Sequence, residues 1–162
     1  MNMHTPASLA EPLRIGPLEI PNRVLLAPMS GVSDRPFRAI AAGFGAGLVV
    51  SEMVASEQLA EGHPESLMRA ERAGSGPHVI QLAGREAHWM AEGARAATDA
   101  GADVIDINMG CPAKKVTTGY SGSALMRDYL GAEYVDLYAE TKKGELKTFR
   151  AAISPQEYDW YL

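Results

Sequence analysis

Asp103-Val104-Ile105-Asp106-Ile107-Asn108-Met109-Gly110-Cys111-Pro112 decides how this chain is read, because an apolar run turns there into a Gly-Cys-Pro loop. Val104, Ile105 and Ile107 are residues of a buried strand, and Asp103 to Asn108 is expected to form one. Just upstream, Glu86 to Ala100 carries Ala87, Met90, Ala94 and Ala97 on one helical stripe, with Gly101 as C-cap. A helix leading into an apolar strand is the unit of α/β folds, and it recurs toward the N-terminus. Val79-Ile80-Gln81-Leu82 and Leu48-Val49-Val50-Ser51 read as two more strands. Val24-Leu25-Leu26-Ala27, stopped by Pro28, reads as the first, buried on both faces. Ser33 or Asp34 can cap the helix that follows, with Pro36 in its first turn. Phe37, Ile40, Ala41 and Phe44 then fall at i, i+3, i+4 and i+7, which predicts an apolar face turned toward the sheet. Ser56 to Arg72 is helix-compatible but broken near Gly62 and Pro64, so two short helices are expected there. A short pair around Leu13 to Ile20 opens the chain, and the loop from Met109 to Ser121 leads into a helix near Gly122 to Asp128.

Four such units predict an α/β fold of parallel (β/α) units, of the TIM-barrel type but only half a barrel, since a closed barrel needs about 250 residues and this chain has 162. Residues 1–128 are therefore read as the N-terminal half of a barrel domain. From Tyr129 the texture changes: the segment 129–162 holds five of the six tyrosines and the run Lys142-Lys143-Gly144-Glu145, and it shows no clear buried strand. Half a barrel leaves sheet edges that need cover, either from that segment or by self-association.

The composition, 46% hydrophobic and 22% charged, is that of a globular domain with a core. With 15 Lys and Arg against 20 Asp and Glu, the formal charge of −5 opposes a polyanion in bulk, so any nucleic-acid role needs a local patch. Cys111 is the single cysteine, which rules out an intrachain disulfide and fits a reducing, cytoplasmic setting. Met1 to Pro12 lacks the pattern of a signal peptide and no apolar run approaches membrane-spanning length, so neither secretion nor a membrane role is expected.

In β/α barrels the rim at the strands' C-terminal ends carries the chemistry, and Cys111 follows such an end. A lone cysteine is otherwise a small buried hydrophobe; its neighbours decide between the two. Leu26-Ala27-Pro28-Met29-Ser30-Gly31-Val32-Ser33-Asp34, Ser51-Glu52-Met53, Gln81-Leu82-Ala83-Gly84 and Asp106-Ile107-Asn108-Met109-Gly110-Cys111-Pro112 follow the four strands in turn. In that order they resemble the motifs of tRNA-dihydrouridine synthases, most closely the bacterial branch. The continuation Lys114-Lys115-Val116 and Gly119-Tyr120-Ser121-Gly122-Ser123-Ala124-Leu125-Met126 does so too, and the likeness runs from about Leu13 to Asp128.

The resemblance implies an FMN-dependent oxidoreductase that uses NADPH to reduce a uridine of tRNA to dihydrouridine. It makes Cys111 the catalytic acid and Pro28, Met29, Gln81 and Asn108 the cofactor-binding residues, with no metal. A thiol suits the role, being mostly protonated at neutral pH yet able to release its proton. Plain readings stand beside these: Pro28 and Met29 as a strand-ending turn, Gln81 and Asn108 as satisfied structural amides, and Lys114, Lys115 and Arg127 as a solvated face rather than phosphate contacts. His63, His78 and His88 have no metal-like spacing. The family's later features, a lysine and histidine near the flavin, a phosphate clamp and a helical RNA-binding domain, have no counterpart in 129–162. Two alternatives stay open: a flavin-dependent dehydrogenase of free pyrimidines, and a non-catalytic truncated or fused remnant.

Overall fold

The structure, a computed structural model, describes residues 8–117, 120–128, 134–140 and 146–152. Two short strands, β1 (Leu13–Ile15) and β2 (Leu18–Ile20), pair antiparallel as an opening hairpin, with Gly16 at φ 57° in the turn. Then follow β3 (Leu25–Leu26), α1 (Arg35–Gly43), β4 (Leu48–Ala55), α2 (Ser56–Ala60), α3 (Pro64–Arg69), β5 (Val79–Ala83), α4 (Ala87–Asp99) and β6 (Val104–Ile107). Two short helices close this part, α5 (Lys114–Thr117) and α6 (Ser123–Asp128). Strands β3, β4, β5 and β6 form one parallel sheet in sequence order, as successive units of a barrel wall do. The wall is open: β3 and β6 are its ends.

The alternation of strand side chains sets the two layers. Val54, Ile80 and Leu82 turn toward the helices and pack with Leu59, Ala70 and Ala97. On the opposite face Leu48 and Val79 meet Ile20, with Leu13, Ile15 and Leu18 of the hairpin beside them, so the hairpin plugs the end where the strands begin. Two residues beyond Val79 on β5 and beyond Val104 on β6 that face turns polar, at Gln81 and Asp106. The hairpin therefore leaves the other end of the face for the site.

The expected pair of short helices after β4 is present as α2 and α3. Asp34 is the cap of α1, its Oδ1 accepting from the Phe37 N–H at 2.9 Å. Three expectations need correction. Phe37, Ile40 and Phe44 are 40%, 60% and 89% exposed, so the apolar stripe of α1 faces away from the sheet. Its inward face carries Arg38, 1% exposed, whose guanidinium donates to the carbonyls of Ser33, Arg69 and Glu71 at 3.0–3.2 Å. The first strand is not buried on both faces either, since Val24 and Leu25 are 48% and 46% exposed at the end of the sheet. On α4, Ala87 is exposed and Gly93 is buried in its place, its Cα facing the Ser56 backbone so closely that a Cβ would lie 2.9 Å from it. The C-terminal segment holds two strands, β7 (Tyr134–Glu140) and β8 (Leu146–Ala152), paired antiparallel as a hairpin.

Candidate active site

Where β3 ends, Pro28 and Met29 open a tight turn. The Ser33 hydroxyl accepts from the Met29 N–H at 2.8 Å, while the N–H groups of Val32 and Ser33 donate to the Met29 carbonyl. Pro28 is half-buried and Met29 37% exposed, so the thioether stands at the rim. Gly31, at φ 76°, turns its N–H to the carboxylate of Glu52, which is 7% exposed in the middle of β4. One buried carboxylate thus ties the first loop to the second strand.

Gln81 is the amide set in an apolar strand, and its partners are found on β6 and directly after it. Its Nε2 donates to Asp106 Oδ2 at 2.6 Å, and its Oε1 accepts from Asn108 Nδ2 at 3.0 Å. The Gln81 backbone N–H is taken by the Ser51 hydroxyl at 2.9 Å. Asn108 has no hydrogen-bonding capacity left over. Its second N–H points at the Met53 sulfur, 3.5 Å away, and its Oδ1 accepts from the N–H groups of Gly110 at 3.2 Å and Cys111 at 3.0 Å. Gln81 and Asn108 are 6% and 8% exposed.

Cys111 follows on this loop, half-buried and free. Its carbonyl accepts from the Ser123 N–H at 3.0 Å, so the residue is held on both sides of its Cα. Gly122, at φ 61°, lies so close that a Cβ there would sit 2.6 Å from that carbonyl oxygen. Across the rim the Arg85 guanidinium stacks 4.7 Å above the ring of Tyr120. That contact joins the loop after β5 to the loop after α5. The structure brings Met29, Glu52, Gln81, Asn108 and Cys111 to the C-terminal ends of the parallel strands. It does not gather the histidines: His63 pairs with Glu61, the His88 ring meets Trp89 at a tilt, and His78 is buried just before β5. Lys114 is exposed on α5, whereas the side chains of Lys115 and Arg127 lie outside the described residues.

Three participants, Asp106, Arg85 and Tyr120, have roles that the sequence does not assign. Asp106 was signalled only indirectly, as the partner a buried Gln81 must have. The Arg85–Tyr120 contact joins residues on different loops and left no local signal.

The family described as dihydrouridine synthase matches residues 25–133, the stretch that holds all four rim loops. The chain belongs to that family. Within the dihydrouridine synthases it is 68% identical over 111 residues to a probable tRNA-dihydrouridine synthase of Rhizobium leguminosarum bv. phaseoli, covering 68% of this chain and 35% of the relative. It is 59% identical over 107 residues to a probable tRNA-dihydrouridine synthase of Rhodobacter capsulatus, covering 65% and 33%. It is 52% identical over 117 residues to tRNA-dihydrouridine synthase B of Xanthomonas axonopodis pv. citri, covering 72% and 35%. The chain thus spans about a third of the length of these dihydrouridine synthases. Of a TIM-barrel-type domain the described residues show a parallel sheet of four strands that does not close. Among the described residues no helix is long and apolar enough to cross a membrane.

Proposed function

We propose that this chain supplies the thiol-bearing part of an FMN-dependent, NADPH-driven tRNA-dihydrouridine synthase, working on tRNA in the cytoplasm, with Cys111 as the acid that protonates C5 of the uracil ring. The observation that carries the reading is the fixed Cys111 loop beside the Gln81 amide at the strand ends. The likeness to tRNA-dihydrouridine synthases favours tRNA over free pyrimidines as substrate.

The donor set fits a flavin in part. Gln81 keeps one N–H and one lone pair after serving Asp106 and Asn108, a donor and an acceptor side by side, as the edge of an isoalloxazine requires. Pro28 and Met29 offer an apolar and polarizable flank. Asn108 is fully committed to its neighbours, so its part is to shape the Cys111 loop. Bound FMN would supply the hydride for C6. The chain's own residues then have three tasks: Gln81 to orient the cofactor, the Cys111 loop to hold a proton over the opposite carbon, and the rim loops to receive a uridine drawn out of its stack.

An absorption spectrum of the purified protein, taken before any flavin is added, tests the cofactor. A spectrum without flavin bands, unchanged on titration with FMN, would overturn that part. The acid is tested by Cys111→Ala in the assembled enzyme, where dihydrouridine formation should slow about 10²–10⁴-fold, the usual worth of a positioned acid. Flavin reduction by NADPH should stay near the parent rate, because the thiol acts only at C5. Undiminished dihydrouridine formation would sink the catalytic role.

A further inference from the structure

We infer that Asp106 is a positioning residue for Cys111, acting through Gln81 and Asn108. The inference rests on the reading of Cys111 as the proton donor, but the row of hydrogen bonds carrying it can be examined without turnover. At one end of the row stands a carboxylate, which when ionised only accepts. At the other end stand the N–H groups of Gly110 and Cys111, which only donate. Between them lie two amides, each able to turn end for end. A single arrangement satisfies every group: Gln81 gives its N–H to Asp106 and its oxygen to Asn108, and Asn108 gives its oxygen to the loop. Gln81 and Asp106 are register partners on neighbouring strands, so the row begins on the rigid sheet and ends on the loop.

Burial gives this polarity its force, because an amide turned the wrong way leaves donors facing donors where water cannot repair them. Asp106 thereby fixes the direction in which Asn108 presents its oxygen. Asn108 in turn fixes the peptide that carries the thiol. A displaced reacting group loses rate steeply, and a shift of about 1 Å can cost 10²-fold.

Cys111 amide hydrogen exchange in the full 162-residue chain measures the effect directly. Asp106→Ala should speed exchange at Cys111 and Gly110 by about three- to tenfold, the factor a lost hydrogen bond of ordinary worth implies. Asp106→Asn keeps an accepting oxygen and should hold exchange within about twofold of the parent, which separates a hydrogen-bonding role from one of charge. Gln81→Met breaks the row while sparing the carboxylate and should match Asp106→Ala. The double variant Asp106→Ala, Asn108→Ala should exchange no faster at Cys111 than Asn108→Ala alone.

The inference is overturned if Gln81→Met leaves Cys111 protected, if the double variant is additive, or if Asn rescues no better than Ala. It is also overturned if exchange rises equally across β4 and β5, since that would be general loosening. An assembled enzyme that makes no dihydrouridine would remove the proton-donor reading, and the exchange data would still stand or fall by themselves.

Discussion

Two glycines with the same backbone conformation sit in different surroundings, and the contrast isolates what Gly122 does. Gly62 (φ 74°) has nothing within 4 Å of a would-be Cβ, whereas at Gly122 (φ 61°) a Cβ would meet the Cys111 carbonyl at 2.6 Å and a Val116 methyl at 2.9 Å. The carbonyl cannot yield freely, being bound by the Ser123 N–H. Gly62→Ala should cost only the left-handed strain, about 1–2 kcal/mol. Gly122→Ala should cost more and should also alter the rate at which iodoacetamide alkylates the single thiol. Equal costs and unchanged alkylation would mean that the loop accommodates a methyl group and that Gly122 does not set the thiol. His78 supplies a second test. It is 2% exposed, with Nε2 2.9 Å from the Ala70 carbonyl, and Nδ1 has no hydrogen-bond partner among the described residues. Burial pushes its pKa down, outweighing the Ala70 and Gly101 carbonyls, and the Arg72 charge adds to the lowering. The unfolded chain therefore binds a proton below about pH 6.5 that the folded chain refuses, so stability falls as pH drops from there toward the lowered value. Asp103, held below its ordinary range first by the His78 N–H and then by Arg72, adds a further loss at lower pH, as it too becomes protonated. Urea midpoints should decline between pH 7.5 and 5.5 in the parent and hold nearly level in His78→Gln; parallel declines would exclude His78 as the cause.

At the scale of elements, α1 inverts the usual rule for an amphipathic helix. Its aromatic stripe is exposed and its arginine buried. Phe44→Ser should thus change stability by less than about 0.5 kcal/mol, as surface substitutions do, against about 3–5 kcal/mol for a large core side chain. Arg38→Met, which leaves three carbonyls of the neighbouring turns without their donor, should cost about 2–4 kcal/mol. Denaturation of the two variants checks both, and a large loss in Phe44→Ser would restore the face predicted from periodicity. Periodicity could place Phe37, Ile40 and Phe44 on one stripe but could not say what lies opposite it, and at the end of the sheet nothing among the described elements covers it. Arg38 was illegible because its acceptors Arg69 and Glu71 lie 31 and 33 residues away. By contrast, the parallel strands announced themselves in continuous apolar runs such as Leu48-Val49-Val50, and those runs fixed the rim on which Met29, Gln81 and Cys111 fall. The interlock of Gln81, Asp106 and Asn108 was only half legible. A buried amide demands partners, but register decides which ones, and Gln81 lies opposite Asp106 only because of how β5 and β6 align. The hairpin of β7 and β8 escaped because β7 mixes Asp136 and Glu140 with apolar residues and lacks the unbroken run used to recognise strands.

At the scale of the whole molecule, β3 and β6, the two ends of the parallel sheet, have no further strand beside them among the described residues. Unpaired strand edges invite pairing, and here the apolar face of Phe37, Ile40 and Phe44 lies at one of those ends. A two-fold axis parallel to the strands would keep every strand pointing the same way, bring β3 of one copy beside β6 of the other, and do so twice. Two four-stranded walls would then make an eight-stranded ring, the number at which parallel barrels close. The expected outcome is reversible dimerisation between about 1 and 100 µM, followed by sedimentation velocity. Phe37→Asp with Ile40→Asp should abolish it by placing two like charges in the contact, while leaving the urea midpoint of the dilute protein nearly unchanged, since both side chains are already exposed. A polypeptide spanning the remainder of a relative's barrel should compete for the same edges, because it would offer β3 and β6 the same parallel neighbours. The expectation fails if the whole chain is monomeric throughout that range and associates only once residues 129–162 are removed. In that case the C-terminal segment is itself the cover, and the open wall is closed within one chain.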